Sequence, residues 1–276
     1  MGPIRIGLAI VATLGAAGAA WYFWLREPPP PPPLSAPVAQ VQPAPVPPPP
    51  PEHYPVPEAA APADAKTPEK PLAKLDESDK DMQAALGGLV GSGAFARFFN
   101  LEGLVRNIVV TVDNLPRKTF AMRLSPLKPV GGLIVVTGKD ESMALAAENT
   151  ARYAPWVGVV EKLDARKLVA LYVRFHPLFQ QAYVELGYPK GHFNTRLVQV
   201  IDHLIDTPVP EKAPAVQLVE VKGTVPSLRP WVRYEFADPA LQSMSAGRKI
   251  LVRVGPDNQR RLQSKLADIR QQLVKK

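Results

Sequence analysis

An apolar run of twenty residues, 6–25, opens the chain and contains no charged side chain. A helix of that length, rising about 1.5 Å per residue, spans a hydrocarbon core of roughly 30 Å. Aromatic residues 21–24 close the run, where their rings favour the headgroup level of a bilayer. The pattern therefore predicts a single transmembrane anchor in residues 1–26. A cleaved signal peptide is the alternative, with small residues 17–19 as its cleavage site.

The charges around this run predict its orientation. Arg5 and the amino terminus lie on one side, and the positive-inside rule places them in the cytoplasm. The other side is nearly neutral, because Arg26 is offset by Glu27. We therefore expect a single-pass protein of the bacterial inner membrane, held through residues 6–25, with its C-terminal domain in the periplasm.

From residue 73 onward, apolar side chains recur at the three- and four-residue spacing of helices. The clearest stripes lie in residues 101–112, 168–186, 197–205 and 262–273. Residues 133–137, 216–221 and 232–236 are typical of short strands, and the last two predict a hairpin across a long connection. The pattern predicts a mainly α (α+β) fold: a multi-helix C-terminal domain, residues 73–276, with a few short strands.

Two residues qualify the helical pattern. Pro177 lies inside the stripe of residues 168–186 and predicts a kink or a restart of the helix there. Asn194 precedes the stripe of residues 197–205, in a position that predicts a cap for that helix.

Between the anchor and the domain, the composition changes sharply. Nineteen of the 33 prolines fall between Pro28 and Pro71. Proline fixes φ and lacks a backbone donor, so this segment favours polyproline II over helix or sheet. Residues 27–72 are therefore predicted to be a disordered, Pro/Ala-rich linker that carries the domain away from the membrane.

Charge and cysteine content narrow the classes of partner. Residues 1–72 hold four of the 33 basic and five of the 25 acidic side chains, which leaves residues 73–276 with 29 basic, 20 acidic and a net +9. Such a surface favours anionic partners, although solubility explains the same excess equally well. Runs that mix aromatic and basic residues are missing, which argues against nucleic acid. The absence of cysteine excludes disulfides, a thiol nucleophile and a cysteine-based zinc site.

Candidate chemistry is sparse. The sequence contains no G-x-S-x-G, no phosphate-binding glycine loop and no H-E-x-x-H, so it predicts no catalytic residue, no cofactor and no metal site. Polar and aromatic residues among the predicted helices could still line a binding site. The candidates are Asp113, Asn114, Arg117, Tyr172, His176, Tyr188 and Asp202.

Four segments of the domain resemble a known family. They are residues 111–117 (TVDNLPR), residues 172–183 with the run FHPLFQ, residues 187–189 (GYP) and the turn at residues 236–239. Together they resemble DUF3014, a proteobacterial family of unknown function, over residues 74–276. The resemblance implies an anchor, a proline-rich linker and a C-terminal domain, and it implies no activity.

Three hypotheses for function follow. The first is a non-enzymatic envelope protein that binds an anionic cell-wall polymer or another envelope protein, as the anchor, linker and basic domain indicate. The second is a periplasmic enzyme whose site is assembled from dispersed residues such as Asp113, Arg117 and Tyr172. The third is a cytoplasm-facing basic domain that binds anionic lipid or nucleic acid.

Overall fold

Nine α-helices and two short strand pairs form the domain in the part of the chain that the structure describes. The computed structural model describes residues 53–57, 71–139, 142–219 and 233–275. The helices are α1 (Asp79–Val90), α2 (Ser92–Phe98), α3 (Leu104–Asn114), α4 (Glu148–Glu161), α5 (Ala165–Glu185), α6 (Phe193–Ile205), α7 (Pro239–Gln242), α8 (Ala246–Arg253) and α9 (Pro256–Leu273). The prediction of a mainly helical domain with a few short strands is confirmed.

The predicted anchor, residues 6–25, and most of the predicted linker lie outside the described residues. Within the described ranges, no helix combines the length and the hydrophobicity needed to cross a membrane.

The longest helix, α5, continues through a proline. It begins after Asp164, whose side chain accepts a hydrogen bond from the Lys167 amide at 3.0 Å. Pro177 lies inside α5, so the predicted restart at this residue is wrong. Proline removes one backbone hydrogen bond, but Phe175 and Phe179 are buried on either side of it and hold both halves of the helix in the core.

Helix α6 contributes to three apolar clusters. Phe193 packs with buried residues of α3 and α5, Val198 with residues of α5 and α9, and Val200 with residues of α4, α8 and α9. Burying a side chain of this size contributes roughly 1.5–3 kcal/mol. The position of α6 is therefore set from several sides at once.

Glutamines of α9 satisfy the backbone at the carboxyl end of α6. Gln263 donates through Nε2 to the Ile205 and Thr207 carbonyls, both at 2.8 Å. Gln259, which is fully buried, donates to the Thr207 carbonyl at 3.2 Å and the Pro208 carbonyl at 3.1 Å. These contacts meet the need of a helix end whose last carbonyls lack intrahelical partners.

The strands form two antiparallel pairs. β1 (Val136–Thr137) pairs with β2 (Ala144–Leu145), and β3 (Val216–Leu218) pairs with β4 (Tyr234–Phe236). The second pair confirms the hairpin predicted from residues 216–221 and 232–236, within the part of those segments that is described.

Residues 53–57 belong to the predicted linker, yet they contact the domain; we call them the docked segment. The Tyr54 amide donates to Thr195 Oγ1 at 3.1 Å, and Asn194 Nδ2 donates to the Tyr54 and Pro55 carbonyls at 3.1 and 3.0 Å. Asn194 therefore does not cap α6 as predicted, since the N-cap is His192. The physical reason is that the Asn194 side chain is directed to another segment instead of its own helix terminus.

Candidate functional site

A buried carboxylate ends the apolar stripe of α3. Val105, Val109 and Asp113 follow one another at four-residue spacing and are 1%, 0% and 2% exposed. The spacing that buries the two valines therefore buries Asp113 as well. A buried carboxylate must be paired and hydrogen-bonded to be tolerated.

Two arginines and a tyrosine surround this carboxylate. Arg117 Nη2 lies 2.5 Å from Asp113 Oδ2, and the Tyr188 hydroxyl donates to the same oxygen at 3.2 Å. Arg196 Nε donates to Oδ1 at 3.2 Å, while its Nη2 donates to the Asp113 backbone carbonyl at 2.9 Å. Both carboxylate oxygens accept hydrogen bonds, and Arg196 also satisfies a carbonyl at the carboxyl end of α3. This arrangement favours a structural role for Asp113 over a role as a general base.

Beside this cluster lies a cavity of about 500 Å³, which we call the basic pocket. Its lining includes Asp113, Tyr183, Tyr188, Lys190, His192 and Arg196, together with His53 of the docked segment. The Tyr183 and Tyr188 rings stack with centroids 4.5 Å apart. A Cβ on Gly191 would lie 2.8 Å from Tyr183 Cε1, so any other residue at this position would force the ring or the chain to move.

The charges of the basic pocket favour an anion. Its lining contains the cations Lys190 and Arg196 against the single carboxylate of Asp113, and Arg117 adds a further positive charge beside it. The His53 and His192 rings are 4.4 Å apart and also face this space. Lys190 is exposed and has no ion-pair partner among the described residues. The pocket thus has positive charge that its own carboxylate does not neutralise.

The tyrosines add neutral donors to these charges. Burial raises the pKa of Tyr183, so its hydroxyl stays protonated at neutral pH.

Within the described ranges, no group of three His, Asp or Glu side chains is placed to hold a metal ion.

Three of the seven predicted site residues meet at this point. Asp113, Arg117 and Tyr188 contact one another directly, and Arg117 Nη2 lies 2.8 Å from the Tyr188 hydroxyl. Their role in binding stays a prediction.

The other four predicted residues lie elsewhere. Asn114 donates to the Val110 carbonyl within its own helix, and Asp202 pairs with Arg270 of α9. Tyr172 packs edge-on against His176, with ring centroids 5.7 Å apart. The Tyr172 hydroxyl has no hydrogen-bond partner among the described residues, and burial raises its pKa above the usual range. Burial and the nearby His192 lower the pKa of His176.

Sequence reasoning missed Lys190, His192, Thr195 and Arg196. Lys190 and His192 lie in the turn before α6, where no periodic pattern marks them. Arg196 is the only arginine or lysine of α6, a signal that becomes meaningful only when a buried carboxylate is known to lie nearby.

Comparison with protein families gives a match over most of the domain. The model of a family described as "Protein of unknown function (DUF3014)" matches residues 104–270, from α3 into α9. No curated protein and no solved structure matches the chain. Three of the segments behind the resemblance, residues 111–117, 172–183 and 187–189, meet at the basic pocket.

Proposed function

The chain belongs to the DUF3014 family, whose function is unknown, and from this premise we propose that it is a binding module for an anionic polymer of the bacterial cell envelope. The observation that carries the proposal is the charge of the basic pocket. Lys190 and Arg196 line it, and its one carboxylate is already paired with Arg117 and Arg196. A phosphate or carboxylate group entering the pocket would meet cations and hydroxyl donors.

The same proposal includes the position of the domain in the cell. The charge-free run of residues 6–25 anchors the chain in the inner membrane, and Arg5 with the amino terminus stays in the cytoplasm. The domain then lies in the periplasm, where cell-wall polymers are within its reach. An alkaline phosphatase fusion at the carboxyl terminus tests this orientation, since the enzyme is active only outside the cytoplasm. An inactive fusion would place the domain inside and contradict this part of the proposal.

Retention of the full chain on purified wall sacculi tests the binding. Lys190→Glu reverses a charge of the pocket without removing an ion pair of the described structure, so its effect on stability should stay within about 0.5 kcal/mol. Two unit charges about 6 Å apart interact with roughly 3 kcal/mol at an effective dielectric constant of 20, before screening by salt. We therefore expect retention to fall at least tenfold.

Lys212→Glu is the matched control, because Lys212 is exposed and does not line the pocket. Equal losses in the two variants would mean that net charge, and not the pocket, holds the polymer. Unchanged retention of the Lys190→Glu chain would contradict the proposed site.

A further inference from the structure

A second binding site lies next to the basic pocket, on the amino-terminal end of α6. We infer that this surface binds an extended peptide in which an aromatic residue precedes proline, and that the docked segment of the same chain occupies it. The docked segment precedes the residues that match the family, 104–270, whereas Asn194 and Thr195 lie among them. The site shares His53 and Thr195 with the lining of the basic pocket, but its ligand is a peptide and not an anion.

The peptide backbone is recognised by two neighbouring side chains. Asn194 Nδ2 donates to two successive carbonyls, those of Tyr54 and Pro55, and Thr195 Oγ1 accepts from the Tyr54 amide. An extended proline-rich segment has no internal hydrogen bonds, so its carbonyls are available to such a donor. These hydrogen bonds recognise an extended backbone and are compatible with proline, which has a carbonyl acceptor but no backbone N–H donor.

With the docked segment in place, the Asn194 amide is buried and depends on this segment for its hydrogen bonds. Asn194 is 1% exposed, and the hydrogen bonds described for its Nδ2 both go to the docked segment. Leaving a buried donor without a partner costs about 1–3 kcal/mol.

Side chains of the docked segment supply the specificity. Tyr54 packs against an apolar cluster of α5, α6 and α9 that includes the buried residues Val169, Val198 and Leu273. His53 lies against the His192 ring and 3.3 Å from Thr195 Oγ1 through its Nδ1. Pro55 follows Tyr54 and holds the backbone in the extended form before binding, which lowers the entropy lost on docking. The sequence His-Tyr-Pro thus fits the site by ring packing and backbone shape together.

Docking also moves the point at which the linker meets the domain. The spacer after the predicted anchor then comprises residues 27–52 instead of 27–72. Twenty residues fewer shorten its fully extended reach by about 60 Å.

A peptide in trans tests the site in the full chain. Tyr54→Ala removes the ring that competes for the cluster, and a fluorescent peptide of residues 51–58, PEHYPVPE, is titrated against this variant. We expect saturable binding with half-saturation below about 1 mM. The wild-type chain should bind at least about twofold more weakly, since its own segment competes at an effective concentration of order millimolar, which is at or above the expected half-saturation concentration. Val46→Ala, a linker substitution outside the docked segment, should behave as wild type.

Two further measurements separate specific recognition of the peptide from nonspecific binding. A peptide with alanine in place of tyrosine should bind the Tyr54→Ala chain at least tenfold more weakly. Adding Thr195→Val, which keeps the side-chain shape but removes the acceptor, should weaken binding about fivefold.

Three results would overturn the inference. The first is no saturable binding of the peptide to the Tyr54→Ala chain at several millimolar, with the fold verified by circular dichroism. The second is equal binding of the alanine peptide. The third is a wild-type dimer that dissociates on Tyr54→Ala, because the occupant would then be the segment of a second copy.

Discussion

Replacing Asp113 by asparagine separates the structural role of this carboxylate from its effect on a bound anion. The substitution keeps the side-chain size but removes the charge that Arg117, Tyr188 and Arg196 contact. Asparagine can accept through one oxygen, while its amide would face donors on the other side. About one to two charge-assisted hydrogen bonds are lost, each contributing roughly 1.5–3 kcal/mol.

Exposure of the partners reduces this cost. The Arg117 side chain is 52% exposed and can be hydrated again, whereas Arg196 is 26% exposed and loses more. We therefore expect a loss of about 2 kcal/mol in the free energy of unfolding, or about 4–8 °C in Tm for a domain of this size. The same substitution should strengthen the binding of an anion in the basic pocket. Removing the carboxylate takes away a repulsive charge, so retention on sacculi should rise.

Urea unfolding followed by circular dichroism measures the stability, and Asp257→Asn is the matched control. Asp257 pairs with Arg260 at 3.1 Å, but its side chain is 82% exposed, so that substitution should cost less than about 0.5 kcal/mol. Equal stability losses for the two variants would refute the role assigned to the buried cluster. Weaker retention of a stable, folded Asp113→Asn chain would instead show that Asp113 contacts the ligand favourably.

Three further predictions concern packing, backbone satisfaction and pH. Gly247→Ala places a Cβ 2.8 Å from Leu204 Cδ2 and should lower the free energy of unfolding, measured in urea, by about 1–3 kcal/mol. Gly158→Ala in α4 is the control: its Cβ would meet no atom within 4 Å, so it should raise the free energy of unfolding by up to about 1 kcal/mol. Similar values for the two variants would contradict the close approach of α8 to α6. Gln259→Ala leaves carbonyls at residues 207 and 208 without this donor and should lose about 1–3 kcal/mol by the same assay, with unchanged stability as the contrary result. Burial lowers the pKa of His176 and His203 below the usual 6.5, so the unfolded chain binds these protons more readily. Stability should then fall as the pH drops below about 6.5, His176→Gln should reduce that slope, and equal slopes in the two chains would contradict it.

Local patterns in the sequence predicted helices α3, α5, α6 and α9 and three of the four strands. The stripe of residues 101–112 became α3, and that of residues 262–273 lies in α9. Helical periodicity reports which side chains share a face within a few turns, and these features depend on nothing more distant. The restart predicted at Pro177 as one of two alternatives is wrong, because the local cost of proline is outweighed by the buried side chains around it.

The contacts of the candidate site are also of two kinds: those that sequence spacing predicts and those that only packing creates. Asp113 and Arg117 are four residues apart, so their contact at a helix end could be anticipated from spacing alone. Arg196 reaches Asp113 across 83 residues, and Asn194 reaches Tyr54 across 140. Pairs this distant are created when α6 packs against α3, α5 and α9, and burial then converts ordinary polar residues into obligatory partners. The sequence by itself determined the helices, their apolar faces and the charge excess; the tertiary structure alone decided which polar side chains meet, because only packing brings residues of distant segments within hydrogen-bond distance.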